Sequence, residues 1–179
     1  MPVWYTTMPS PIDELVLTGD GEALTGLHMV VRRHDPAGLP GRDDRCEADW
    51  RRDDRVFAAA TSQLAAYFAG ELTDFDIRLA PSGTEFQRRV WAGLATIPYG
   101  ETTSYGELAA QLGNAGASRA VGLANGRNPI SIVIPCHRVI GSDGRLTGYG
   151  GGLGRKRWLL DHEQAVLRRR GELPVSGLW

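Results

Sequence analysis

Ser104-Tyr105-Gly106-Glu107-Leu108-Ala109-Ala110-Gln111-Leu112-Gly113-Asn114-Ala115-Gly116-Ala117-Ser118-Arg119-Ala120-Val121-Gly122-Leu123-Ala124-Asn125-Gly126 reads as a helix, a break and a second helix. Ser104 with Glu107 three residues on is a capping box, which starts a helix at Tyr105 that runs to Leu112. Gly113-Asn114-Ala115-Gly116 then interrupts it with residues that tolerate positive φ. A further helix is expected from about Ala117 to Gly126, and the pair has the geometry of a helix-turn-helix. That second helix offers almost no long polar side chain except Arg119. Small residues let a helix enter a tight groove, and they equally let two helices pack together.

Toward the N-terminus, Ser82 with Glu85 makes another capping box, followed by Phe86, Val90, Trp91 and Leu94 at helical spacing. Trp91 reads as ordinary core. Val3 to Met8, Leu15 to Gly19 and Ala23 to Val31 have strand composition, with Asp20-Gly21 as the hairpin turn between the last two. Residues 32 to 54 are polar and broken by Pro and Gly, the pattern of a long mobile loop. A helix from about Asp54 to Ala69 carries Val56, Phe57, Leu64, Tyr67 and Phe68 as its apolar face and stops at Gly70. The fold class is therefore α/β of the α+β kind. A small antiparallel-sheet domain over 1–80 precedes a helical, winged helix-turn-helix-like domain over 81–165. A tail over 166–179 contains Arg168-Arg169-Arg170.

Downstream of the helix pair, Ile130-Ser131-Ile132-Val133-Ile134-Pro135-Cys136-His137-Arg138-Val139 is an apolar run handed by a proline to adjacent Cys and His. A thiol attacks as thiolate, and a neighbouring imidazole is the usual acceptor of its proton. In an extended strand, successive side chains point to opposite faces, so the two cooperate only through a turn or a bridging water. Pro135 suits such a break. On spacing alone, Cys136 reads equally as a small buried hydrophobe with His137 capping a strand. Six glycines between Gly144 and Gly154, around Tyr149, favour the chemical reading, because ordered glycine fits a backbone that must approach something closely. No Gly-x-Gly-x-x-Gly register fits them, which excludes a dinucleotide fingerprint.

Two cysteines, Cys46 and Cys136, are too few for a disulfide framework and point to a reducing cytoplasm. No stretch approaches a membrane span and the start has no signal-peptide pattern, so a soluble intracellular protein is expected. The net charge of −1 hides an asymmetry: residues 1 to 85 carry −7, residues 86 to 163 carry +4, and the remainder +2. The segment with Cys136 is the basic one, as contact with phosphate requires, although a solvated basic face has the same composition. His28, His34 and Cys46 are too few and too scattered for a four-ligand zinc site, so no metal and no other cofactor is expected. His162 is expected beside the site or in solvent.

Pro135-Cys136-His137-Arg138-Val139, with Asn128-Pro129 before it and Tyr149-Gly150-Gly151-Gly152 after it, resembles the active-site signature of the O6-alkylguanine-DNA alkyltransferases. The resemblance is strong over residues 82 to 163. It implies that Cys136 takes an alkyl group from O6 of a guanine flipped out of duplex DNA, once and irreversibly, without a cofactor, with O4-alkylthymine left open as a second lesion. It implies that His137 acts as base through a water, that Glu163 orients it and that Asn128 supports the turn. It assigns Tyr105, Val139, Tyr149 and Gly150 to the base pocket. It makes Arg119 an arginine finger, with Ala117, Ser118, Ala120, Arg127 and Arg138 also at the DNA. A monomer in solution is expected, with contacts between proteins left open on DNA. Glu163, read without the resemblance, is a solvated helix residue. Two other readings stay open: a lesion-binding sensor that does no chemistry, and a cysteine hydrolase built on Cys136, His137 and Glu163.

Overall fold

The structure is a computed structural model that describes residues 2–30 and 49–172. The chain divides into two compact units, Met1–Pro81 and Ser82–Trp179. His34, Cys46 and most of the expected loop over 32–54 lie outside the described residues, as does the end of the expected tail.

In the first unit a sheet has the order β3-β2-β1-β4, with β1 Val3–Met8, β2 Leu15–Gly19, β3 Leu24–Met29 and β4 Trp50–Arg52. β2 and β1 are the inner strands; β2 pairs antiparallel with both neighbours and every one of its residues is buried. The turn out of it closes at Asp20, whose Oδ1 accepts from the Glu22 and Ala23 amides at 2.9 and 2.8 Å while Gly21 takes φ 103°. The three expected strands pair antiparallel, and β4, which the sequence did not mark, adds a parallel pairing with β1 at the edge. A three-residue edge strand carrying exposed Arg51 and Arg52 lacks the apolar alternation that marks a strand in sequence. Helix α1 spans Ala58–Phe68 and buries Ala60, Leu64 and Tyr67. It starts four residues later than the apolar pattern suggests, because residues 54–57 form a turn ending at Phe57.

The second unit is helical. Helix α2, Glu85–Leu94, is capped by Thr84 and Gln87 rather than by Ser82 and Glu85: Thr84 Oγ1 accepts from the Gln87 amide and Gln87 Oε1 from the Thr84 amide. The chain must first pass Trp91 at Gly83, where an added Cβ would lie 2.4 Å from the indole ring. Helix α3, Tyr105–Gln111, has the expected Ser104–Glu107 box. It ends in a Schellman pattern, with Gly113 at φ 84° and the Asn114 amide donating to Ala109 at 2.9 Å. A 3₁₀ turn over Ala115–Ala117 leads into α4, Ser118–Gly126. Trp91 Nε1 donates to Ala124 O at 2.9 Å from a buried position and pins α2 to α4, which makes it core as read. The wing is reduced to a parallel pair of two-residue strands, β5 Thr103–Ser104 and β6 Val139–Ile140. Helix α5, Leu153–Arg170, extends five residues into the segment read as a tail from 166. Val166 and Leu167 are buried, and Arg168, Arg169 and Arg170 fill its last turn, where cations oppose the helix dipole before Gly171 closes it at φ 70°.

Candidate active site

Residues Ile130–Ile134 do not form the expected strand. They run as tight turns, with the Val133 amide on Ser131 O at 2.8 Å and the Ile134 amide on Ile130 O at 3.0 Å. Buried Ile132 takes φ 72°, a left-handed conformation that costs a β-branched residue on the order of 1–3 kcal/mol. Asn128 supplies the bonds a sheet neighbour would have given: its Nδ2 donates to Ile134 O at 2.8 Å, and its Oδ1 accepts from the Ile130 amide at 3.0 Å. Pro135 sits at φ −79° and ψ 62°, and the Cys136 amide closes on Ile134 O at 2.8 Å, an inverse γ-turn. Cys136, His137 and Arg138 then form one 3₁₀ turn, which sets successive side chains about 120° apart. The break expected at Pro135 is present, in the form of a turn between turns rather than a strand end.

All three side chains of that turn are buried, and α5 meets them with Glu163, which is 0% exposed. His137 Nε2 lies 2.8 Å from Glu163 Oε1. Arg138 donates from Nε at 3.0 Å to Oε2 and from Nη2 at 2.9 Å to Oε1, and the Gly100 amide donates to Oε2 at 2.9 Å. Arg138 Nη1 is held by Ile97 O at 2.7 Å. Arg138, expected at the DNA, is thus a buried clamp on Glu163. Burial works to raise the Glu163 carboxyl, but His137 and Arg138 outweigh it and hold it well below the usual carboxylate range. Burial pushes His137 below its ordinary value against the pull of Glu163, so the ring is neutral near pH 7 and the charge facing Glu163 is that of Arg138. An ionised Glu163 accepts, so Nε2 carries the proton and Nδ1 is left as the basic atom. Nδ1 has no hydrogen-bond partner among the described residues.

Burial also raises the Cys136 thiol, opposed by the Asn128 side chain and by Lys156. Lys156, the single lysine of the chain, was not singled out from sequence. It is 0% exposed, and its Nζ donates to Val139 O and, at 2.8 Å, to Thr147 O. Burial brings its pKa down to about 8. Its signal was a lone lysine in the inward register of α5, one turn before Leu159 and Leu160 and two before Glu163.

Of the expected pocket residues, Val139 and Tyr149 are buried and Gly150 is exposed. Tyr105 donates its hydroxyl to Thr147 O at 2.9 Å, so it is committed to the glycine loop here. A cavity of about 510 Å³ is lined by Tyr105 and Gly106, by Ser118, Arg119 and Gly122 of α4, and by residues of the 141–148 loop. Arg119 and Ser118 join it as expected, whereas Cys136, Val139, Tyr149 and Gly150 are not among its walls. Arg119, Ala120 and Arg127 are exposed and Ala117 is half-buried. The α4 N-terminus has no side-chain cap and follows directly on the 3₁₀ turn. His162 stacks on Trp158 with ring centroids 4.9 Å apart. Among the described residues no group of three or more His, Cys, Asp or Glu could hold a metal ion, and no helix is long and apolar enough to cross a membrane.

Comparison with known proteins gives the same picture over both units. Residues 3–81 match the family model for the 6-O-methylguanine DNA methyltransferase ribonuclease-like domain, and residues 85–165 that for its DNA binding domain. A methylated-DNA-protein-cysteine methyltransferase from Mycolicibacterium paratuberculosis is 58% identical over 160 residues, covering 89% of this chain and 92% of its own. One from Methanosarcina acetivorans is 48% identical, covering 90% and 98%. The crystal structure of Mycobacterium tuberculosis OGT in complex with DNA superposes with a TM-score of 0.81 at 53% identity, covering 91% of this chain and 94% of that one. With both of its units matched, the chain belongs to the 6-O-methylguanine DNA methyltransferase family.

Proposed function

We propose that this chain repairs O6-alkylguanine in duplex DNA by moving the alkyl group to Cys136, one lesion per molecule. The observation that carries the reading is a buried thiol on a turn tied by Asn128, next to a neutral imidazole held by Glu163 through its Nε2. The unit over 82–170 supplies both DNA contact and acceptor. The target nucleotide is rotated out of the stack at a cost of a few kcal/mol, less at a mispaired lesion. Arg119 fills the space it leaves, with Ala117, Ser118, Ala120 and Arg127 around it. The Tyr105–Thr147 contact opens, Val139 and Gly150 hold the base edge through their backbone, and Tyr149 covers it.

The thiol proton passes through a bridging water to His137 Nδ1, and Glu163 stabilises the imidazolium. The Cys136 sulfur bonds to the alkyl carbon as the carbon–O6 bond breaks. The electron pair stays on guanine, whose ring accepts a hydrogen bond from the Tyr105 hydroxyl, and the proton taken up by His137 returns through water to the guanine ring, leaving neutral guanine, neutral imidazole and the thioether. The product thioether is inert to hydrolysis, so Cys136 is not regenerated. The reaction needs no cofactor, and a reducing compartment such as the cytoplasm keeps Cys136 a thiol before it acts. A cysteine hydrolase would need an oxyanion hole beside Cys136 and would turn over.

The test is intact and peptide mass after mixing with a duplex bearing one O6-methylguanine. The expected result is one methyl group on the Cys136 peptide, saturating at one per protein and absent in Cys136→Ser. Selective binding without transfer would make the protein a sensor, and repeated turnover on an ester or amide would make it a hydrolase.

A further inference from the structure

The described residues carry four exposed large hydrophobics, Val56, Phe86, Leu123 and Leu153, and Leu123 is the most open at 62%. It lies on α4. The opposite face of that helix, Val121, Ala124 and Asn125, is buried, and Ala124 takes the bond from Trp91. The exposed face reads Arg119, Ala120, Leu123, Gly126, Arg127, so Leu123 stands one turn from an arginine on each side. Its neighbours on this face are small, and even a Cβ added at Gly126 would meet nothing within 4 Å. The leucine is therefore a single ridge between two cations. The helix has no acidic side chain to neutralise them. An open apolar ridge flanked by exposed arginines that have no ion-pair partner among the described residues complements a surface that is apolar inside and anionic at its edges, which describes the sugar walls of a nucleic-acid groove between its phosphates.

Resting on the proposed function, we propose that Leu123 is an apolar wedge that enters the DNA groove beside Arg119 and supplies a non-electrostatic share of duplex binding. Arg119 and Leu123 are four residues apart, about 6 Å along the helix axis. If Arg119 takes the place of the flipped nucleotide, Leu123 reaches the sugars and base edges roughly two base-pair steps away. A leucine there carries no hydrogen-bonding information. It strengthens binding by losing water from its own surface and from the deoxyribose faces.

The proposal separates apolar from ionic binding by salt dependence. Affinity for an undamaged duplex is measured across a range of salt concentrations for the wild type, Leu123→Ala, Leu123→Met and Arg127→Ala. Leu123→Ala is expected to bind about tenfold more weakly with an unchanged salt slope. Leu123→Met, of similar volume, restores most of the affinity. Arg127→Ala lowers the slope by about one, as the loss of one phosphate contact requires. Thermal unfolding of Leu123→Ala controls for its fold, and an exposed helical site accepts alanine readily. Leu123→Ala affinity within about twofold of wild type overturns the proposal. So does weaker binding accompanied by a changed slope or a lowered unfolding midpoint. A wild-type protein that binds no duplex overturns the functional reading and the wedge with it, whereas binding that is indifferent to Leu123 overturns the wedge alone.

Discussion

Replacing Arg138 with methionine keeps most of the buried stem and removes the guanidinium charge paired with Glu163. The guanidinium gives that carboxylate bonds at 2.9 and 3.0 Å, and the Gly100 amide and His137 would remain. Breaking a buried pair by deleting one partner costs about 3–5 kcal/mol. Ile97 O also loses its donor, which adds about 1 kcal/mol. Part of that is recovered if His137 takes up a proton and becomes the missing cation, each unit of raised pKa contributing about 1.4 kcal/mol. In the wild type the folded-state pKa values of His137 and Glu163 both lie below their ordinary 6.5 and 4.5. Their contributions to stability are therefore present above those values and are lost as pH falls through them. In the variant the His137 shift reverses, and its contribution is instead lost as pH rises through the raised value. A protonated ring has no free Nδ1, so alkyl transfer in the variant should fail near pH 7 and recover at higher pH. Single-turnover transfer from an O6-methylguanine duplex, read from pH 5 to 9 beside urea unfolding, measures both effects. A variant that loses stability but keeps the wild-type acid limb would refute the assignment of His137 protonation to Arg138.

Three further substitutions test other parts of the site. Asn128→Ala strands the buried Ile134 carbonyl and Ile130 amide and should cost about 1–3 kcal/mol for each group in urea unfolding; a neutral result would mean the turns hold themselves. Lys156 loses its proton near a pKa of about 8, so the wild-type transfer rate should fall on the alkaline side there, and Lys156→Met should transfer slowly with that limb gone. An alkaline limb that persists in Lys156→Met would assign it to another group. Gly83→Ala places a Cβ 2.4 Å from the Trp91 ring and should cost about 1–3 kcal/mol with a changed near-ultraviolet dichroism, whereas unaltered stability would show that Trp91 can yield.

Local signals carried the fold further than the site. The Ser104–Glu107 box and the Gly113 break state their structures within a few residues, and β1 and β2 have the expected bounds because turns flank both. β4 was hidden because its pairing with β1 comes from register and not from its own composition. Ile130–Ile134 misleads because five residues rich in isoleucine satisfy strand propensity, while the deciding bonds come from Asn128, upstream of them. The resemblance named Cys136, His137 and Glu163, and the structure brings the last two into contact. It could not show that Arg138 turns inward, since an arginine in a basic segment carries no mark of its partner. Lys156 is the opposite case: its inward register was visible, and only the carbonyls of Val139 and Thr147 explain why a lysine is tolerated there.

The electrostatics of the pair also bear on why a buried cysteine suits a protein that can use it once. Ordinary values of 9.0 for the thiol and 6.5 for the imidazole differ by 2.5 pH units, so moving the proton from sulfur to nitrogen costs roughly 3.4 kcal/mol before the two new charges attract. Burial raises the thiol and lowers the imidazole, which widens the gap in the resting protein. Cys136 therefore rests as a thiol, and the thiolate forms only as the alkyl carbon draws on it. A resting thiol is slow to oxidise and slow to meet adventitious electrophiles, because both reactions run through the thiolate. It follows that iodoacetamide should modify Cys136 at pH 7 more slowly than it modifies an unstructured cysteine peptide. Modification as fast as the peptide's would mean a thiolate already present at rest, and the argument for deprotonation on demand would fail.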